Sequence, residues 1–211
     1  MSNLFPQTNP FNPYKTFIQK HIELNTLEWH LIKSKLSTVC YKKGDIIHNI
    51  GDVSCHNYFL NYGIVRSYLL DEKGKDYTWG IHFNDKSAEM YNLFVVDYQS
   101  FINQTPSTLG YEVIEDCELV KISYKDTQFL YSYFKKGEHF GRIMSELAYN
   151  ELHRIIVERT TLNAKQRLML FMKTSIFLMD KVPQYHIASY LGITPQSLSK
   201  LKKELNIHLG E

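Results

Sequence analysis

Thr194, Pro195, Gln196, Ser197, Ser199, Lys200 and Lys203 stand close together near the C-terminus. They contain no nucleophile–base pair and no metal-ligand set. Amide, hydroxyl and ammonium groups at helical spacing instead form a surface of hydrogen-bond donors and acceptors, suited to phosphates and base edges. The chemistry this suggests is recognition of nucleic acid rather than turnover of a substrate.

Such a surface reads a groove only if the backbone holds it out rigidly. Leu198, Leu201 and Leu205 recur on one face of a helix, leaving Gln196, Ser197, Ser199, Lys200 and Lys203 to point elsewhere. Thr194-Pro195 supplies an N-cap and a first-turn proline. Ahead of it, Ile187, Ala188 and Leu191 share a face of a shorter helix, and Ala188 is small enough for a second helix to cross close over it. Gly192 can adopt the left-handed conformation that ends the first helix, and Ile193 fills the corner. Residues 183–205 therefore predict a helix-turn-helix that binds DNA. The bland alternative is a helical hairpin packed on a core. It leaves unexplained why the alanine, the glycine four residues later, the Thr-Pro cap and the polar-basic face occur together.

The 211-residue chain is long enough for one or two domains with a sizeable core, and 44% hydrophobic and 14% aromatic content fit a globular protein. Net charge is only +2, but it is unevenly spread. Residues 1–163 hold 17 Lys/Arg against 19 Asp/Glu, and residues 164–211 hold 7 against 3. A basic tail segment on a mildly acidic body fits a nucleic-acid module attached to something else. Its charge is modest, which predicts that two copies act together. Cys40, Cys55 and Cys117 are too few and scattered for a disulfide framework or a zinc site. With no signal-peptide pattern and no apolar run long enough to span a bilayer, the expected location is the cytoplasm, with no membrane partner.

Residues 1–13 carry three prolines and read as an irregular lead-in, followed by two helices up to about Leu36. Strand-like alternation then runs from Ser37 to about Ser123, punctuated by Gly44, Gly51, Gly63 and Gly74. Turns are expected at Asn61-Tyr62-Gly63, at Asp71 to Lys75, and at Glu115-Asp116-Cys117 between strands 110–114 and 118–122. A short helix over about 127–134 should break near Gly137. A long one follows with Phe140, Ile143, Met144, Leu147, Ala148, Leu152, Ile155 and Ile156 on one side until about Thr160. It is either a core helix or half of a two-chain coiled coil. A further helix spans 164–179. Strands flanked by segregated helices make an α+β chain with a small β-roll or barrel.

This order resembles the Crp/Fnr family of bacterial transcription regulators, over about residues 20–205. The residues that carry the likeness are Lys43-Gly44-Asp45, Gly51-Asp52 and Gly63-Ile64-Val65-Arg66 in the roll, with Ala188, Gly192, Thr194-Pro195 and Leu198 near the end. The resemblance implies a cyclic-nucleotide-binding-like jelly roll over 1–138, a dimerisation helix over 139–162 and a helix-turn-helix domain over 163–211. It implies a homodimer on a two-fold site in double-stranded DNA, a small-molecule effector for the roll, and RNA polymerase as a candidate partner. Carried onto this chain, Pro195, Gln196, Ser199 and Lys200 would face base edges. Thr194, Ser197 and Lys203 would meet phosphates. No strand pair is expected after Leu205 to add a wing.

Cyclic-nucleotide-binding relatives cradle the phosphate with a Phe-Gly-Glu turn and an Arg-Ser pair. Here no glycine lies between Gly80 and Gly110 and no arginine between Arg66 and Arg142, and Pro106-Ser107-Thr108 stands where the Arg-Ser pair would fall. Glu89, Ser107 and Thr108 remain as candidate pocket residues. A phosphodiester is costly to bury without a cation or amide nest, so the roll is expected not to bind cyclic AMP or cyclic GMP. Tyr91, Leu93, Phe94, Val95, Val96, Tyr98 and Phe101 could line a site for a more apolar ligand, or could simply pack as core or lid. The cysteines make no iron–sulfur set, and the histidine spacing does not favour haem, so no cofactor is expected. Two alternatives remain: a cyclic-nucleotide-responsive regulator with a non-standard pocket, and a cupin-like metal-binding enzyme. The second lacks a His-x-His pair, since His48, His56 and His82 stand apart, and it leaves the terminal helices without a role.

Overall fold

The computed structural model describes residues 9–205. The expected absence of a wing after Leu205 and the first part of the irregular lead-in lie outside the described residues. Two helices open the fold, α1 (Asn12–Gln19) and α2 (Thr26–Ser34). Asn25 and Glu28 close a capping box at the start of α2, each side chain bonding the other's backbone N–H, at 2.9 and 2.8 Å.

Strands β1 (Ser37–Tyr41), β2 (Ile46–His48), β3 (His56–Leu70) and β4 (Asp76–Phe83) follow. Next come α3 (Met90–Leu93), β5 (Phe94–Val95), α4 (Tyr98–Asn103) and β6 (Gly110–Ser123). They form one antiparallel sheet in the order β1-β6-β3-β4, with β2 also on β6 and β5 also on β3. The expected hairpin at Asp71 to Lys75 is present, with Asp71 accepting from Lys73 N and Lys75 N at 2.9 Å.

Two expected turns are not turns. Tyr62-Gly63 and Glu115-Asp116-Cys117 lie inside the long strands β3 and β6, opposite one another, where the register slips between Leu60 and Val65. Gly63 has φ +99°, and a Cβ there would come within 2.4 Å of Cys117 Cβ. The polar, glycine-marked segments thus build a bulge that bends a continuous strand pair.

The C-terminal half is helical: α5 (Tyr124–Tyr133), α6 (Lys135–Thr161), α7 (Ala164–Ser175), α8 (Leu178–Lys181), α9 (Gln184–Tyr190) and α10 (Pro195–Glu204). The break before α6 falls at Phe134, which is extended, and not at Gly137. Gly137 sits in the first turn of α6, where a Cβ would meet Leu130 O at 2.3 Å, so it permits α5 to lie close. The helix expected over 164–179 divides between Ser175 and Leu178.

Three core clusters hold the chain. One joins α1, α2 and α6 to the sheet through Phe17, Ile18, Trp29, Phe59, Phe94 and Met144. A second fills the sheet interior around Leu60, Val65 and Leu119. The third is shared between sheet and C-terminal helices. Ile64, Ile81, Phe83 and Ile114 pack with Leu168, Phe171, Leu178, Ile187, Ala188 and Leu198.

Candidate nucleic-acid interface

Helices α9 and α10 meet through local devices that the sequence announces. Ile187 and Ala188 are fully buried and Leu191 nearly so. Gly192 turns the chain at φ +67°, a conformation that L side chains rarely adopt. Gly192 N donates to Ser189 O and Ile193 N to Ala188 O, both at 2.9 Å, which satisfies carbonyls at the end of α9. Thr194 is the N-cap of α10, its hydroxyl accepting from Ser197 N at 3.1 Å. Leu198 is 1% exposed and anchors the second helix.

The seven residues singled out from the sequence come together on one open surface. Thr194, Pro195, Gln196, Ser197, Ser199, Lys200 and Lys203 are all exposed. Thr194 and Ser197 hydroxyls also face each other at 3.0 Å, so both take part in the cap. Lys200 is 4.0 Å from Glu204 one turn on, a loose exposed pair that leaves the ammonium free to turn outward. Lys202 differs from Lys203: it reaches back to Gln184 Oε1 at 3.3 Å and ties α10 to α9.

Several positioning residues carry no sequence signal. Arg167 on α7 donates from Nε to Leu191 O at 3.0 Å and from its terminal nitrogen to Leu162 O at 2.5 Å, holding the end of α9 against the end of α6. Ser189 Oγ accepts from Thr78 N on β4 at 2.9 Å, and Lys181 pairs with Glu115 at 3.0 Å. These contacts fix the helix pair on the face of the roll. Beneath them Arg66, its side chain 5% exposed, bridges Asp76 at 2.5 Å and Glu112 at 2.7 Å. His186 of α9 lies buried nearby with Nδ1 unpartnered. Burial first, and then the Arg66 charge, push its pKa down to about 4.

The candidate pocket residues are not gathered. Ser107 is buried and donates to Asp97 Oδ2 at 2.8 Å, and Thr108 N donates to the same oxygen at 3.3 Å. Thr108 lines a cavity inside the roll. Glu89 faces a smaller cleft beside α6 instead, 3.3 Å from Arg154. Burial and the neighbouring Glu151 carboxylate raise its pKa. Of the aromatic run, Phe94, Val95 and Phe101 are buried, while Tyr91, Phe94, Val96 and Tyr98 line the roll cavity. Among the described residues no three His, Cys, Asp or Glu side chains are placed to hold a metal ion, and none of the helices is long and apolar enough to cross a membrane.

A β-roll, a long helix and a terminal helix-turn-helix in this order define the Crp/Fnr type of fold, with its cyclic-nucleotide-binding-like domain. Solved structures share it at low identity. A putative Crp/Fnr-family transcriptional regulator from Eubacterium rectale superposes with a TM-score of 0.65 at 17% identity, over 89% of this chain and 88% of that one. FixK2 from Bradyrhizobium japonicum gives 0.64 at 17%, over 81% and 84%. The c-di-GMP-responsive global regulator CLP from Xanthomonas campestris gives 0.60 at 15%, over 89% and 96%. No family model matches the sequence, and no curated protein matches it.

Proposed function

We propose that this chain is a DNA-binding transcriptional regulator of the Crp/Fnr type, working in the cytoplasm as a homodimer on a two-fold operator. The observation that carries this reading is the surface of α10, a helix whose apolar side is anchored and whose polar-basic side is entirely open. In this reading Pro195, Gln196, Ser199 and Lys200 face base edges. Gln196 suits adenine, and Lys200 suits the acceptors of guanine. Thr194, Ser197 and Lys203 set register on phosphates. The working division is residues 1–138 as sensor roll, 139–162 as dimerisation helix and 163–211 as DNA-binding unit, with RNA polymerase a candidate partner.

The dimer is supported by a stripe on α6. Tyr149, Leu152 and Ile156 are 69%, 44% and 52% exposed and recur at steps of three and four, along the edge of the inward face of Gly141, Met144 and Ile155. A helix of 27 residues, about 40 Å long, presents this stripe along one side. Burying it between two copies removes an apolar surface from water and pairs two recognition helices.

Selection of bound sequences from random duplex DNA tests the reading. The expected result is an enriched inverted repeat with half-sites about one helical turn apart. Recovery of unenriched DNA, or of a single unrepeated half-site, overturns it.

A further inference from the structure

A cavity of about 550 Å³ lies inside the roll, bounded by the sheet, α1, the α3–α4 segment, α5 and α6. That volume accommodates a small organic molecule. Its walls are largely apolar, with Ile18, Phe94, Leu130, Phe140, Met144 and Leu152 among them.

The polar groups that reach it are mostly committed to one another. His82 Nδ1 lies 3.0 Å from Tyr91 O, a carbonyl that can only accept, so Nδ1 carries the proton. Its Nε2 then accepts from Ser67 Oγ at 3.0 Å. Burial lowers the His82 pKa to about 4, so the ring is neutral near pH 7. The Tyr98 hydroxyl pairs with Ser145 Oγ at 2.8 Å. Asp97 accepts from Ser100 N, Ser107 Oγ and Thr108 N.

Charge decides the rest. Among the described residues no lysine or arginine lines this cavity, whereas the carboxylates of Asp97 and Glu151 do. An anion entering it would lose its hydration, meet no cation on the lining and face the Asp97 carboxylate, while Glu151 is already paired with Arg154 outside the lining. We propose that the roll cavity is the binding site for an uncharged, predominantly apolar small molecule, and that it rejects anionic ligands of the same size. Its link to regulation rests on the regulator reading above. Tyr149 and Leu152 line the cavity and also stand on the exposed stripe of α6, so an occupant stiffens the residues that a second copy would meet.

Two dyes with nearly the same rings separate the cases: uncharged N-phenylnaphthylamine, and anilinonaphthalene sulfonate, which adds one fixed negative charge. On the full chain the neutral dye should bind saturably, and the sulfonate at least about tenfold more weakly. Ala148→Trp fills the wall and should weaken the neutral dye about tenfold or more with the helical circular dichroism retained. Should that variant misfold, Thr108→Lys at an exposed edge of the cavity serves in its place and should strengthen sulfonate binding. Equal affinity for the two dyes, binding of neither, indifference to both substitutions, or displacement of the neutral dye by micromolar cyclic AMP each overturn the proposal. DNA retention is read on the same preparation. Loss of dye discrimination with DNA binding intact sinks the cavity proposal alone, and the reverse sinks the regulator reading alone.

Discussion

The helix-turn-helix and the roll cavity are built by opposite means. The first is made of some 20 consecutive residues, its geometry set by neighbours in the chain: Ala188 at the crossing, Gly192 at the turn, Thr194 at the cap. The second is assembled from α1, the sheet, α3–α4, α5 and α6, contributed by residues as far apart as Tyr14 and Leu152. The helix pair exposes its polar groups and buries its anchors. The cavity pairs its polar groups internally and leaves apolar wall. A recognition surface of this kind tolerates change one contact at a time, while a cavity responds to its whole lining.

The largest effect is expected in the sheet on which the helix pair rests. Arg66→Met removes the guanidinium between Asp76 and Glu112 beneath α9, and should cost about 3 kcal/mol in chemical denaturation. A stability unchanged by this substitution would mean that the bridge does not hold β3 to β4 and β6. Ala188→Leu acts first on the helix-turn-helix crossing. The fully buried crossing has no room for the larger side chain, so stability should fall by about 2 kcal/mol and DNA retention should be lost. Neutral-dye binding after this change should persist; its loss would show the two regions to be one cooperative unit.

Gln196→Ala should leave stability alone and relax preference at one base position by about 1–2 kcal/mol, measured across a set of operator variants. Lys203→Ala should instead weaken binding to every sequence and lower the salt slope by about one.

A further effect concerns pH. His186 and His82 are held neutral with pKa values near 4, against the ordinary 6.5. An unfolded chain takes up protons below about pH 6.5 that the fold refuses until about pH 4, so stability falls as pH drops through that window. Around His186 stand Arg66, Asp76, Glu112 and the tilted ring of Tyr185. Melting temperature measured at about pH 7 and about pH 5 should show the decline, and His186→Gln should flatten part of it.

The helix-turn-helix was legible in the sequence because capping, glycine turns and helical spacing are local properties. All seven of its singled-out residues are exposed, at the cap or along α10. The roll was legible as a class but not in detail. Glu115-Asp116-Cys117 has turn composition, and only its position opposite Gly63 makes it a bulge, a relation that spans over 50 residues of chain. Gly137 looks like a helix breaker until Leu130 O is seen against it. Glu89 and Thr108 belong to different cavities for the same reason: which wall a side chain joins is decided by tertiary packing. Arg167 could not be singled out, because an arginine that bonds two distant carbonyls has no pattern of its own.

The core shared by Ile64, Ile81, Phe83 and Ile114 with Leu178, Ile187 and Leu198 has a consequence for the order in which the chain is made. The sheet residues leave the ribosome more than 60 residues before the helices they cover. A growing chain can complete its roll early, but the helix pair gains its full core only when residues on both sides of that gap meet. Non-local contacts of this kind form late. An unfinished or truncated polypeptide is thereby kept from presenting a fully packed α10 ahead of its roll.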